Sequence, residues 1–245
     1  DGTLSIASHK GMWDVISRLV AIYESFMSED VCRNLLKTAL IAYQRPVIDA
    51  VLKGASLSTV SEDPSIFVTL ALRHCDMNIL RSVVDAGAAL PSGGRAVDSV
   101  LYNFSDQNGQ MLRFLRSKCV DYTDPNQYAD SDPLAMAKAL PDLFDCFVEL
   151  GVVDAVCALP DNRFAEEVFS AMNYHAAYYL VHHSSSDWHS TFSDGSNVLH
   201  GAAARGHPAW VRLCLESKQA HTLMVSINAK GYTPLHLAIR QDHVE

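Results

Sequence analysis

A short string that returns along the chain limits what it can fold into. Near the C-terminus stands Asn228-Ala229-Lys230-Gly231-Tyr232-Thr233-Pro234-Leu235-His236-Leu237-Ala238-Ile239. Upstream of it runs Gly195-Ser196-Asn197-Val198-Leu199-His200-Gly201-Ala202-Ala203, continued by Ala204-Arg205-Gly206-His207. Both contain Leu-His-x-Ala. A unit that repeats at a fixed period cannot hide its own apolar face, so it stacks on like neighbours instead of closing a single core.

The alanine of that string serves as a ruler. It falls at Ala7, Ala39, Ala71, Ala137, Ala202 and Ala238, with gaps of 32, 32, 66, 65 and 36. The two long gaps are each two units, which puts the missing copies near Phe104 and near Ser170 or Ala171. About eight units then cover residues 1–245 as a single array, the last incomplete. Their bounds fall near 1–27, 28–57, 58–90, 91–122, 123–153, 154–190, 191–227 and 228–245.

Within each unit the pattern predicts two short helices. The first carries small alanines inward, so the second can approach closely. The second shows paired apolar residues four apart, a single buried stripe at helical period. Examples are Val15-Ile16 with Leu19-Val20, Val47-Ile48 with Val51-Leu52, Ile79-Leu80 with Val83-Val84, and Leu143-Phe144 with Phe147-Val148. In the sixth unit Tyr178-Tyr179 take that role. Gly87-Ala88 supplies a residue able to end a helix in the left-handed conformation. Pro234 suits a first helical turn, where its missing N–H costs nothing.

The string Gly231-Tyr232-Thr233-Pro234-Leu235-His236-Leu237-Ala238 resembles the ankyrin repeat, and two tandem copies strengthen the likeness. The resemblance implies an all-α solenoid of stacked helix-turn-helix units with finger-like turn loops. It also implies that His200 and His236 are structural residues whose rings tie neighbouring turns together, with His207 and His243 at the Gly-His position before a second helix. The units of 91–190 keep the pattern least well, with Phe104 where alanine is expected, and local irregularity is expected there.

Ankyrin arrays bind through turn tips and the exposed positions of the short first helices. Carried onto this chain, that selects Ala229, Lys230, Tyr232, Arg240 and Gln241 in the last unit, and Ser193, Asp194, Ser196, Ala204 and Arg205 in the one before. It also selects His9 and Lys10 in the first unit and Arg73 and His74 in the third. Two polar stretches, 121–132 and 184–190, read as connections between units along one face. The second contains Trp188, which as an exposed loop aromatic would be a binding anchor.

Composition narrows the function classes. The net charge of −9, with no run of Lys and Arg to offset it, argues against a nucleic-acid surface. Cys32, Cys75, Cys119, Cys146, Cys157 and Cys214 are widely and irregularly spaced, with no Cys-x-x-Cys, as in reduced cytoplasmic or nuclear proteins. No stretch is apolar enough to insert in a membrane. The chain opens on Asp1 and stops in Gln241-Asp242-His243-Val244-Glu245, inside an unfinished element, so it reads as part of a longer polypeptide.

Chemistry is hard to assemble from these residues. His175, His182, His183 and His189 are near one another, but they lack the paired, regularly spaced ligands of a zinc site. Pro91-Ser92-Gly93-Gly94-Arg95 lacks the Gly-Lys-Ser/Thr of a phosphate loop and reads as a turn. The expectation is a non-catalytic protein–protein interaction scaffold or adaptor, with no cofactor and no metal. Its partner would be another protein or a domain of the same parent chain. The alternative is a regulatory or substrate-recruiting segment of a larger enzyme, channel or membrane-trafficking protein.

Overall fold

A computed structural model describes residues 11–23, 27–54, 65–103, 105–132, 135–136, 138–159, 163–183 and 194–243. Every regular element among them is helical. The chain divides into two compact units, Asp1–Tyr122 and Thr123–Glu245.

In the first unit, α1 (Trp13–Tyr23), α2 (Glu29–Ile41), α3 (Arg45–Gly54), α4 (Ile66–Arg73), α5 (Met77–Asp85), α6 (Gly93–Leu101) and α7 (Asn108–Ser117) follow in order. Helices α2, α4 and α6 stack into one layer, and α1, α3 and α5 into another. Each first helix also packs on the second helix of its own repeat. Ala39, Ala71 and Ala96 are fully buried between the layers, where a larger side chain would hold the helices apart.

The second unit begins with a 3-10 turn at Pro125–Tyr128 and continues through α8 (Pro141–Leu150), α9 (Val152–Cys157), α10 (Arg163–Ser170) and α11 (Tyr174–His183). It ends with α12 (Val198–Ala204), α13 (Pro208–Glu216), α14 (Ala220–Val225) and α15 (Pro234–Arg240). Here α10, α12 and α15 form one layer, and α8, α11 and α13 the other. Helix α14 is inserted between α13 and α15 and packs on both, as well as on α12. Gly151, at φ 80°, closes α8 and opens α9 directly.

Two measurements make the repetition explicit in three dimensions. The backbone takes a positive φ two residues after each of several first helices: Tyr43 51°, Cys75 53°, Met172 58°, Gly206 63° and Asp242 60°. Gly11, at 70°, holds the same spot before α1. Side-chain hydrogen bonds between repeats also keep the period. Tyr43 to Asp76 spans 33 positions, Cys75 to Asn108 33, Asn173 to Ala139 34 and His200 to Tyr232 32. Contacts about one repeat apart, here 32–34 positions, are what a nearest-neighbour stack requires.

Several expectations change. Phe104, expected at an alanine position, lies outside the described residues; helix α6 ends at Leu101 and carries the buried Ser99 four residues before Asn103, as Ala71 stands four before Cys75. In the sixth repeat the ruler position belongs to the fully buried Val168, and α10 ends at Ser170. The buried stripe of α11 is Ala176-Ala177 with Leu180, while Tyr178 is exposed, because the helix presents the 176/177/180 face inward. Val15 is likewise exposed beside a buried Ile16. Gly93-Gly94 is no turn but the buried start of α6, capped by the Ser92 hydroxyl. A Cβ at Gly93 would overlap the backbone of Asp121 and Tyr122. The 121–132 stretch is not merely a polar connection, since Tyr122 and Tyr128 are buried anchors.

Candidate interaction groove

The best-formed ankyrin-like string builds the clearest local architecture. Asn197 caps α12: its Oδ1 accepts the His200 N–H at 3.0 Å, and the Asn197 N–H donates to His200 Nδ1 at 3.1 Å. The His200 Nε2 is 2.9 Å from the Tyr232 carbonyl of the following repeat. A carbonyl only accepts, so Nε2 carries the proton and Nδ1 is free to accept. The buried ring thereby joins two repeats, the structural role that the resemblance implied. Thr233 and His236 repeat the same capping box in α15, where the ring is exposed.

The turn tips are held the same way. The Asp194 carboxylate accepts from the Ser196 N–H at 2.8 Å and the Ser196 hydroxyl at 3.0 Å. Asn228 Oδ1 accepts from the Lys230 and Tyr232 N–H groups, both at 3.0 Å. The Ala229 N–H donates to the Asp194 carbonyl at 3.1 Å, which couples one tip to the next. Gly195 (φ 72°) is required there, because a Cβ would lie 2.9 Å from the Ala229 nitrogen.

These tips and the first-helix layer enclose a groove of about 690 Å³. Phe169, Val198, Trp210 and Leu237 lie along its base, but each is buried, with 5, 1, 6 and 9% of its surface exposed, so the apolar patch they offer is narrow. Trp210 is fixed by edge contacts to Phe169 at 5.3 Å and Tyr174 at 5.9 Å. Glu166 and Glu167 of α10 contribute acid, and Arg205, Lys230 and Arg240 contribute base. Gly201 leaves room for the Arg205 guanidinium, 3.3 Å from where its Cβ would sit. The Arg240 guanidinium lies over the Tyr232 ring, 5.3 Å from its centroid.

The groove gathers Asp194, Ser196, Ala204, Arg205, Ala229, Lys230, Tyr232 and Arg240 of the sequence-derived set. Ser196 is buried, with its hydroxyl engaged within the tip, so it shapes the groove more than it presents a group to it. Gln241 is exposed just past α15 and does not line the groove. Arg73 and His74 belong to the first unit. There the Arg73 guanidinium covers the Tyr102 ring at 5.1 Å and the His74 ring packs 4.9 Å from Tyr43. His9, Lys10, Trp188 and Ser193 lie outside the described residues.

Sequence reasoning missed Phe169, Trp210, Glu166 and Glu167. They belong to a degenerate repeat and to a second helix, and only the shifted ruler at Val168 would have put the two glutamates on the exposed first-helix side. It also found no basic cluster, because Arg205, Lys230 and Arg240 are too far apart in sequence to form a run. The stack brings all three to one groove.

Other titratable groups are structural. Asp76 caps α5 through bonds to the Asn78 and Ile79 N–H groups and also accepts from the Tyr43 hydroxyl at 3.0 Å. Burial alone would raise its carboxyl. The Ile79, Tyr43 and Asn78 bonds together with the Arg45 charge outweigh that and hold it below the usual carboxylate range. The bond to Asp76, followed by burial, raises the Tyr43 phenol. Burial pushes the Cys214 thiol up to about 12, which leaves it unreactive. His175 Nε2 is 2.7 Å from Asp145 Oδ1, and the His182 ring packs on Tyr178. Among the described residues no three His, Cys, Asp or Glu side chains come together as a metal site. No helix among them is long and apolar enough to cross a membrane.

Compared with known families, residues 168–245 match ankyrin repeats, in three copies. No curated protein matches the chain in sequence.

Proposed function

Because the chain carries ankyrin repeats over residues 168–245, we propose that it is a non-catalytic interaction module whose second unit binds a protein segment in the groove between its turn tips and first-helix layer. Ankyrin repeats are in general protein–protein interaction modules. The observation that carries the proposal is the makeup of that groove: a narrow apolar base ringed by charges, of which Arg205, Lys230 and Arg240 are exposed, on a frame whose turn tips are already hydrogen-bonded. A preformed frame spares the binder the ordering cost of a flexible loop. A buried apolar centre with a polar rim is the usual anatomy of a specific interface.

The proposal takes the chain as a scaffold or adaptor of about eight repeats acting in the cytoplasm, its partner being another protein or a domain of the same parent chain. The test is affinity capture with the full chain against two variants. Arg205→Glu with Arg240→Glu alters the groove, and Arg212→Glu with Lys218→Glu alters exposed positions outside it. A partner lost by the first and kept by the second supports the reading. A specific partner retained equally by all three would show that this groove is not the interface.

A further inference from the structure

Charge is unevenly distributed along the second unit. Residues 123–194 carry twelve Asp and Glu against two Lys and Arg, whereas residues 195–243 carry two against five. The groove sits where these stretches meet, with Glu166, Glu167 and Asp194 from the acidic side and Arg205, Lys230 and Arg240 from the basic one. The Asp194 carboxylate already accepts from the Ser196 N–H and hydroxyl, whereas among the described residues the three cations have no carboxylate on them. All three cations are exposed. None forms an ion pair among the described residues, although the chain as a whole bears a net charge of −9 and has carboxylates in excess. By contrast, Arg33 pairs with both Glu29 and Asp30, and Arg45 pairs with Asp76. Arg240 is held over the Tyr232 ring, a placement that aims its planar donors without using them.

Building on the proposed function, we infer that the occupant is an acidic peptide segment: an apolar side chain seated against Phe169 and Trp210, flanked by carboxylates that meet Arg205, Lys230 and Arg240. Three cations with no ion pair among the described residues, Arg240 held only over the Tyr232 ring, favour an anion that also brings some apolar surface. Glu166 and Glu167 repel carboxylates at the far end, so the segment enters in one direction, with its acidic part toward the last repeat. The same two glutamates, with the net negative charge, disfavour nucleic acid, whose phosphates would run unbroken through the groove.

The test is selection of a random-peptide phage library on the full chain, with the strongest peptides then made synthetically and measured by fluorescence polarisation. The expected result is enrichment of Asp and Glu around an aromatic or branched apolar residue. Binding should weaken several-fold between about 50 and about 300 mM KCl, as for exposed charges, and fall by about tenfold or more in Arg205→Glu with Arg240→Glu. Glu166→Lys with Glu167→Lys should relax the direction, admitting peptides with carboxylates at both ends. Peptides that bind the groove with no excess of carboxylates would overturn the acidic-segment inference and leave the proposed function standing. A library yielding no binder sensitive to the groove variants would overturn both. A single-stranded oligonucleotide bound as tightly as the best peptide would overturn the choice of a peptide.

Discussion

At the scale of single residues, two kinds of position hold more than packing. Asp76 joins a helix cap to a bridge between repeats, because one oxygen serves α5 and the other serves Tyr43 and Arg45 of the preceding repeat. Replacing it with Ala should cost about 1–2 kcal/mol, the upper range for a lost cap. Its carboxyl is held below the usual range in the folded chain, so its contribution is present above the unfolded carboxylate pKa and lost as pH falls through the folded one. The difference between wild type and Asp76→Ala in urea midpoint should therefore be full near neutrality and shrink below about pH 4. A difference that stays constant with pH would contradict the assigned charge. The second kind is a residue held at positive φ. Cys119 is exposed and sits at φ 71° just past α7. Left-handed backbone costs an L-residue about 1 kcal/mol, so Cys119→Gly should raise the melting temperature, and a lowered one would refute the strain.

At the scale of the element, the two capping boxes are chemically alike but differently surrounded. Asn197 is buried, and its side-chain amide also donates to the Leu223 carbonyl at 3.1 Å and to the Ser226 hydroxyl, tying the inserted α14 to α12. Thr233 bonds only within its own helix start among the hydrogen bonds described. Asn197→Ala should accordingly cost about 2–3 kcal/mol, a cap together with unsatisfied buried groups, and Thr233→Ala about 1 kcal/mol. Equal losses in chemical denaturation would mean that the ties to α14 contribute nothing. The inter-helix turns show the same dependence on surroundings. Gly206 and Asp242 adopt nearly the same φ, and Tyr43, Cys75 and Met172, where glycine is absent, adopt a similar one. The stack imposes the conformation on residues that would not choose it.

At the scale of the molecule, stability should be distributed as in a one-dimensional chain of neighbours, since hydrogen bonds such as Tyr43–Asp76, Asn173–Ala139 and His200–Tyr232 each join a repeat to the next one. Within the second unit, Leu237→Ala truncates a buried side chain of α15, the helix that packs on α12, and should lower protection from hydrogen exchange in both helices. Protection in α8, which packs on α9 and α11, should hold. Uniform loss across the unit would indicate a single cooperative core instead.

Much of the fold was legible because repetition is a property of sequence. The Leu-His-x-Ala strings, the Gly-Ala helix ends and the paired apolar residues of the second helices each mark a backbone or burial requirement that local chemistry alone enforces. The bridging role of His200 was implied by the likeness to ankyrin repeats, and the place of Pro234 at a helix start by the chemistry of a first turn. What failed was register where the marks had decayed. Counting in fixed steps put alanine equivalents at 104 and near 170, whereas insertions and substitutions moved them to Ser99 and Val168. The choice of which face of α11 turns inward lay with its neighbours, which take Ala176 and Ala177 and leave Tyr178 to solvent.

By itself, then, the sequence determined that the chain is a stack of helical pairs, because each pair carries an apolar stripe that only a like neighbour can cover. Only the tertiary structure decided what the stack presents. Arg205, Lys230 and Arg240 are scattered along the chain and unremarkable there, but the repeat spacing returns them to one wall of one groove. Electrostatics acts through distance in space, so a cluster of charge exists only once the chain has folded.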